Sequence, residues 1–284
     1  MTSRPQIMTG KTCLVTGANS GIGKVTARRL AEMGGRVVMV CRSRERGQRS
    51  LDEIRRSNGD ARLELLCCDL SSQKAIRNLA MEFIERYDRL HVLVNNAGLM
   101  MRRRALTEDG LESTFAVNHL AYFLLTNLLL DVIKISAPAR IVNVASIAHM
   151  TGTINFDDLQ CEKSYSGMVA YRQSKLANIL FTYELARRLE RTRVTVNCLH
   201  PGVIATNIAR DMPKVVDLAL RAFFSSPEKG ADTTVYLASS PEVEGVTGKY
   251  FDDLEETRSN EESYNKDVAR RLWEVSARLA GLAT

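Results

Sequence analysis

Several things are scarce in this chain of 284 residues. No apolar stretch approaches the eighteen or so residues that a membrane-spanning helix needs. The first ten residues, Met1 to Gly10, have no apolar run of the kind a secretory signal carries, so a cytoplasmic location is expected, with a membrane surface as at most a peripheral contact. The six cysteines include no C-x-x-C pair, and five of them sit in apolar runs, which favours buried free thiols over disulfides or a zinc knuckle. His91, His119, His149 and His200 show no metal-ligand spacing, so no metal is expected. Prolines number only six, and no Pro/Gly/Ser-rich linker, repeat or low-complexity tract divides the chain. One domain spanning residues 1–284 is therefore expected.

The charge is also modest. A net charge of +6 is spread along the chain, and the one basic run is Arg102-Arg103-Arg104. Scattered lysine and arginine argue against nucleic acid as a partner. They are compatible with a mildly basic surface or with a pocket for an anionic cofactor.

What is abundant is alternation. Short apolar runs at Cys13–Val15, Val37–Cys41, Leu63–Cys67, Val92–Val94, Ile141–Ala145, Val194–Leu199 and Tyr250–Phe251 read as strands buried on both faces. Between them, Ala75, Ile76, Leu79, Ala80, Phe83, Ile84 and Tyr87 keep helical spacing, as do Leu176, Ile179, Leu180 and Tyr183. Val268, Leu272, Val275 and Leu279 repeat it near the end. Parallel strands need crossovers, so this order predicts an α/β fold: a doubly wound, three-layer sandwich with a mostly parallel sheet of seven strands.

The first strand runs into Thr16-Gly17-Ala18-Asn19-Ser20-Gly21-Ile22-Gly23 and then a helical pattern. Glycines at such a turn let the backbone approach a pyrophosphate, and the helix start favours its charge. The spacing is G-x-x-x-G-x-G rather than the commoner G-x-G-x-x-G. After the second strand no acid stands where the ribose 2′-hydroxyl of NAD would need one; Arg42 follows directly, with Arg44 and Arg46 behind it. That points to the 2′-phosphate of NADP(H), the alternative being a solvated basic loop. Asp69, followed by Leu70, suits either the adenine edge or the cap of the next helix.

Tyr171 and Lys175, four apart on a helical pattern, share one face. An ammonium beside a phenol is expected to lower its pKa towards neutrality, as acid/base chemistry requires; the alternative is an ordinary exposed pair. Asn95-Asn96-Ala97-Gly98 follows the fourth strand, Ser146 the fifth and Pro201-Gly202 the sixth, where open α/β sheets bind ligands, and Asn118 lies in a helix. Alone, Ser146 reads as a strand-end cap and Asn118 as a helix-surface amide.

Together, Thr16-Gly17-x-x-x-Gly21-Ile22-Gly23, Asn95-Asn96-Ala97-Gly98, Ser146, Tyr171-x-x-x-Lys175 and Pro201-Gly202 resemble the short-chain dehydrogenase/reductase family, from about Lys11 to Phe251. The stretches Ala116–Leu120, Arg140–His149, Ser174–Leu180 and Ala269–Trp273 are most similar to its retinol dehydrogenase branch. The resemblance implies an NADP-dependent oxidoreductase acting on lipophilic carbonyls or alcohols, retinal or retinol among them. It implies Tyr171 as proton donor or acceptor, Lys175 as its tuner and a ribose holder, Ser146 as the polariser of the carbonyl oxygen, and Asn118 as the holder of a relay water. It sets Gly17, Asn19, Ser20, Gly21, Ile22, Gly23, Arg42, Asp69, Leu70, Asn96, Ala97 and Gly98 along the dinucleotide, with Pro201, Gly202 and Thr206 at the nicotinamide. A bound but unreactive cofactor, in a scaffold or sensor, is the alternative function.

Ser146 and Tyr171 are 25 positions apart, wider than in compact family members, and residues 155–168 read as an insertion. Such insertions tend to cover the helix face used for dimerisation, so a monomer or dimer is expected in place of a tetramer. The apolar residues from 206 to 226 read as a substrate lid, a membrane-touching segment or a packed helix. Leu99-Met100-Met101 and His149-Met150 are candidate pocket walls.

Overall fold

A computed structural model describes residues 6–202 and 226–282. Eight strands form one sheet in the order β3-β2-β1-β4-β5-β6-β7-β8. They are β1 (Thr12–Thr16), β2 (Arg36–Cys41), β3 (Arg62–Cys67), β4 (Val92–Asn95), β5 (Ala139–Val144), β6 (Val194–His200), β7 (Tyr250–Asp252) and β8 (Glu255–Glu256). The first seven are parallel, as expected from the α/β alternation. The eighth corrects the expected seven: β8 turns back antiparallel on β7, pairing Phe251 with Glu256. Two glutamates carry no apolar signal, so nothing in the sequence announced it.

The first seven strands are mostly apolar because their alternate residues serve two cores. Leu14, Val38 and Val40 face one helical layer with Phe83, Phe123 and Phe181. Val15, Val37 and Met39 face the other, with Leu30, Ile54 and Leu237. The first layer holds α3 (Gln73–Arg86), α5 (Ala121–Leu128) and α7 (Gly167–Arg188), the second α1 (Gly21–Glu32) and α2 (Arg44–Ser57). One expected core residue of α3 is out of place: Ile84 is half exposed, at the margin of the buried face. Short helices α4 (Ser113–Phe115), α6 (Leu130–Ile135), α8 (Pro227–Gly230) and α9 (Asp232–Ser239) complete the layers before α10 (Lys266–Leu279).

The path reverses between β1 and β4, since β2 and β3 lie on one side of β1 and the later strands on the other. At such a switch point the loops at the strand C-termini diverge and leave a crevice. The glycine turn after β1 and the Asn95–Gly98 segment after β4 border it.

The outer face of α5 and α7 is covered from within the chain. Leu272 and Ala269 of α10 pack on Leu176, Ala177 and Leu180 of α7, and Trp273 meets the Phe123 ring edge-on at 4.8 Å. The irregular segment ahead of α7 adds Ile154, Phe156 and Leu159 to the same cluster. Met168, expected in that segment, already belongs to the first turn of α7. Burying one large apolar side chain contributes roughly 1.5–3 kcal/mol. The exposed Arg270–Asp267 pair on the same helix contributes at most about 1 kcal/mol, so packing holds α10 in place. His119 adds a pin: its Nε2 lies 2.8 Å from Ser276 Oγ and its Nδ1 3.4 Å from Asn178 Oδ1, while burial drops its pKa to about 4.

Among the described residues no helix is long and apolar enough to cross a membrane, and no cluster of three or more His, Cys, Asp or Glu could hold a metal ion. All six cysteines are free thiols, five of them buried.

Candidate active site

The crevice is a cavity of about 540 Å³, within the range of small-molecule and cofactor pockets. Its lining includes Gly17, Asn19, Ser20, Gly21 and Ile22 from the first turn, and Arg42, Arg46, Asp69 and Leu70 beyond β2 and β3. Asn96, Ala97, Gly98, Ser146, Tyr171, Lys175, Pro201 and Gly202 complete the set. Residues separated by up to 185 positions in sequence thus meet on one surface, and Thr206 alone of the expected site lies outside the described residues, as does the expected lid up to residue 225.

The first turn is fixed by contact. Gly17 takes φ +68°, in the left-handed region, and a Cβ there would stand 2.9 Å from the Asn96 amide and 3.0 Å from Ala97 Cα. Gly23 is tighter still: a Cβ would come within 2.5 Å of the Gly17 carbonyl oxygen. Thr16 Oγ1 accepts from the backbone N–H groups of Asn96 and Ala97 at 2.9 and 3.1 Å, and the Asn96 amide donates to the Thr16 carbonyl at 2.7 Å. The two loops are therefore one rigid wall. Helix α1 has no acid in its first turn, so its N-terminal dipole is not answered from within that turn.

At the β2 end the groups are charged and open to water. Arg42 is 63% exposed and stands 3.9 Å from Asp69. Asp69 Oδ1 accepts from the Ser71 backbone N–H and hydroxyl, which makes it the cap of the turn, while Ser72 caps α3 itself. The alternative reading of Asp69 as the helix cap is thus one turn early. Arg46, expected only as a neighbour of Arg42, also lines the cavity from the first turn of α2, whose cap is Ser43. Arg44 does not.

At the β5 end the groups are buried. Tyr171 and Lys175 are no ordinary exposed pair: they are 9% and 3% exposed, in the second turn and beyond of α7. Lys175 Nζ donates to the Val144 carbonyl at 2.9 Å and lies 5.6 Å from the Tyr171 ring centre. Burial drops the lysine pKa to about 7. Burial also pushes the Tyr171 phenol above its usual value, and the Ser146 hydroxyl, hydrogen-bonded to it, pulls in the opposite direction. The expected lowering of Tyr171 by a nearby ammonium does not appear: burial dominates, and the Ser146 hydroxyl is the group that opposes it. Ser146, read as a strand-end cap, caps the short 3₁₀ turn after β5 (Ile147–Thr151), accepting from Ala148 N–H at 3.2 Å, and still lines the cavity.

Asn118 sits in a π-helical turn, Ala116–Leu120, a widening of the helix that often marks functional sites. It is fully buried, not a surface amide. Its Oδ1 accepts from Leu99 N–H at 2.8 Å, and its amide group donates to Leu99 O at 2.8 Å and to Ser174 Oγ at 3.0 Å. Both amide hydrogens are spent on the protein, so the side chain clamps the loop after β4 against α7.

Leu99, Met100 and Met101 line the cavity as expected; His149 and Met150 do not. His149 is buried behind Ser146, its Nδ1 2.6 Å from the Ser146 carbonyl oxygen. His200, at the end of β6, lines the cavity without having been singled out. Its signal was its place directly before Pro201-Gly202.

The arrangement fits a dinucleotide. The glycine wall admits a phosphate chain close to backbone, the arginines suit an anion at one end, and a buried phenol and amine stand at the other with a half-buried hydroxyl.

The family model for short chain dehydrogenase matches residues 11–216. Human retinol dehydrogenase 14 is 48% identical over 297 residues, covering 98% of this chain and 88% of that protein. Among solved structures, an uncharacterized protein from Mycobacterium paratuberculosis superposes with a TM-score of 0.80 at 33% identity, over 97% of this chain and 95% of that one. A Pseudomonas aeruginosa RhlG/NADP active-site complex superposes with a TM-score of 0.71 at 27% identity, over 88% and 97%.

Proposed function

The chain belongs to the short-chain dehydrogenase family, in its retinol dehydrogenase branch, and from that premise we propose that it moves a hydride between NADP(H) and the carbonyl or alcohol group of a lipophilic substrate, with Tyr171 as acid and base. The family's cofactors are NAD(H) and NADP(H). The observation that carries the reading is the meeting, on one cavity, of the glycine wall, Arg42, the half-buried Ser146 and the buried Tyr171 and Lys175. A protein that merely stored the dinucleotide would have no need for the last three.

The nicotinamide, when bound, supplies or accepts the hydride. The chain's part is binding, orientation and the proton. Gly17, Asn19, Ser20, Gly21, Ile22 and Gly23 would hold the pyrophosphate, with Arg42 and Arg46 at the 2′-phosphate and Asp69 and Leu70 near the adenine. Asn96, Ala97 and Gly98 would line the middle, and Pro201 and Gly202 the nicotinamide, joined by Thr206. In reduction, the Tyr171 O–H gives its proton to the substrate oxygen, while the Ser146 hydroxyl donates to that same oxygen as charge gathers there. Lys175, held on the Val144 carbonyl, faces the ring of Tyr171 and would hold the nicotinamide ribose beside it. Burial keeps water from competing for these groups.

NADP(H) is favoured over NAD(H) because Arg42 and Arg46 line the cavity where an acid would be needed for a free 2′-hydroxyl. A lipophilic substrate is supported by Leu99, Met100, Met101 and Ile147 on the cavity wall and by what the relative's name says of retinol. We propose a cytoplasmic location, with a membrane surface as at most a peripheral contact; recovery in a detergent-requiring membrane fraction would overturn it.

The test is NADPH oxidation with an aldehyde panel that includes retinal and medium-chain alkanals. Wild type is expected to turn over, and Tyr171→Phe to lose about 10²–10⁴-fold in kcat with NADPH affinity kept. Tight NADPH binding with no turnover on any carbonyl or alcohol would favour the scaffold instead.

A further inference from the structure

Ser146 opens the 3₁₀ turn Ile147–Thr151, so the place of its hydroxyl depends on how that turn is held. The Ser146 carbonyl accepts twice from His149, from the backbone N–H at 3.1 Å and from ring Nδ1 at 2.6 Å. A carbonyl can only accept, so the imidazole carries its proton on Nδ1. The ring is fully buried and meets Tyr250 of β7 edge-on at 4.7 Å. Gly152, just past the turn, lies so close to α7 that a Cβ there would stand 2.7 Å from the Arg172 carbonyl oxygen. The turn is thus pinned against the sheet and against the helix that bears Tyr171.

A third hold comes from far along the chain. The Asn260 amide nitrogen donates to the carbonyls of His149 at 3.1 Å, Met150 at 3.0 Å and Gly152 at 3.2 Å. The carbonyls that close a helical turn take partners from outside it, and here one side chain serves three. The Oδ1 of the same residue accepts from Glu262 N–H at 2.8 Å, capping a second 3₁₀ turn, Glu261–Tyr264. That second turn is itself rooted on α7 and on the segment ahead of it. Ser259 Oγ lies 2.8 Å from Tyr183 Oη, the Tyr264 ring stacks on Tyr183 at 5.6 Å, and Glu262 Oε1 accepts from Ile154 N–H at 3.2 Å. Asn260 therefore ties a turn fixed to α7 to the turn that carries Ser146. It does not line the main cavity, and it lies beyond the residues 11–216 that the family model matches.

We propose that Asn260 is a positioning residue for the hydride transfer, acting through the Ile147–Thr151 turn to hold the Ser146 hydroxyl where the substrate oxygen gathers charge. The proposal rests on the dehydrogenase reading. Ser146 Oγ accepts from Ala148 N–H at 3.2 Å, a contact that fixes the oxygen and leaves its proton free to be donated on the cavity side. Moving the turn moves Ala148, and the hydroxyl goes with it. Such donors are steep in geometry: removing one costs about 10²–10³-fold in kcat, and a misplacement of about 1 Å can cost about 10²-fold.

The experiment uses the full chain, NADPH and a carbonyl that wild type reduces. Asn260→Asp keeps the shape and the Oδ1 cap but sets an acceptor against three carbonyls. Asn260→Ser keeps a cap and lacks the reach. Each is expected to lower kcat about tenfold with NADPH affinity unchanged, because the glycine wall lies elsewhere. The readout that a purely structural tie would not move is a double-mutant cycle. Ser146→Ala should lower kcat by about 10²–10³-fold. Adding either Asn260 substitution to it should leave the residual rate within about twofold, while the melting temperature falls equally in both backgrounds. A tenfold loss repeated in the Ser146→Ala background would overturn the proposal, because Asn260 would then reach the reaction by another route. Wild-type kcat in both single variants would overturn it as well, and so would failure of both to fold, which would make the amide a structural tie. No turnover by wild type would sink the dehydrogenase reading and the positioning role with it; turnover by wild type with indifferent Asn260 variants would sink the positioning role alone.

Discussion

At the Arg42 end of the main cavity the charged groups stand in solvent; at the Lys175 end they are buried. Arg42 and Asp69 are 63% and 43% exposed and almost 4 Å apart, a pair worth little to stability and easily screened by salt. Lys175 is 3% exposed, and burial alone moves its pKa down to about 7. The two ends therefore carry different kinds of information. The open end can select among cofactors by charge without disturbing the fold. The buried end sets proton affinities through desolvation, which only the packed fold can maintain. One cavity thus separates recognition, which is soft, from reactivity, which is rigid.

Three perturbations would sharpen or break that division. The largest effect is expected from Lys175→Met, which should lower kcat by about 10²–10⁴-fold in the NADPH assay. The same variant tests the desolvation directly. An unfolded lysine holds its proton to about pH 10.4, whereas the buried one releases it near 7, so between those values the unfolded chain binds more protons and stability rises with pH. The melting temperature of wild type minus that of Lys175→Met should accordingly move in favour of wild type from pH 6.5 to 9.5. A difference that ignores pH would mean that the lysine is charged and well solvated in the fold.

Gly23→Ala comes next. Its Cβ would sit 2.5 Å from the Gly17 carbonyl oxygen, a backbone atom that cannot swing aside. Overpacking of this kind destabilises by roughly 1–3 kcal/mol, and calorimetry should show it together with weakened NADPH binding. An alanine variant that melts and binds like wild type would show that the glycine wall can give.

The smallest effect belongs to the open end. Arg42→Asp should leave the melting temperature nearly unchanged and shift the NADPH-to-NADH preference by about tenfold or more, since a charge-assisted contact is worth roughly 1.5–3 kcal/mol. The preference should also weaken with salt in wild type and not in the variant. Identical selectivity in both would leave Arg46 as the better candidate for the phosphate.

Much of this was legible beforehand, and the exceptions have physical causes. Seven strands were readable because burial on both faces makes each a near-continuous apolar run. Leu14 and Val15 serve different cores, yet both must be apolar. β8 was not readable, because two exposed glutamates are held by pairing with β7 and not by any pattern of their own. The glycine turn, Ser146, Tyr171 and Lys175 were found through spacing and company. Their electrostatics were not, since whether an ammonium lowers a neighbour's pKa depends on how deeply both are buried. The π-turn at Asn118 leaves no sequence signature, because a ladder widened by one residue uses the same residue types as an ordinary helix. His200 was passed over for a similar reason: a lone histidine means nothing until topology sets it on the cavity wall.

The cover over α5 and α7 has an implication for how the molecule is made. The helix that seals this face, α10, follows it in the chain, so a growing polypeptide emerges with Phe123, Phe181 and Leu180 facing water until α10 has cleared the ribosome. For that interval the nascent chain presents an apolar band with nothing to lay on it, which is when a chaperone, or an unwanted neighbour, would find it. The synthesis of α10 is thus also the step that makes the surface safe.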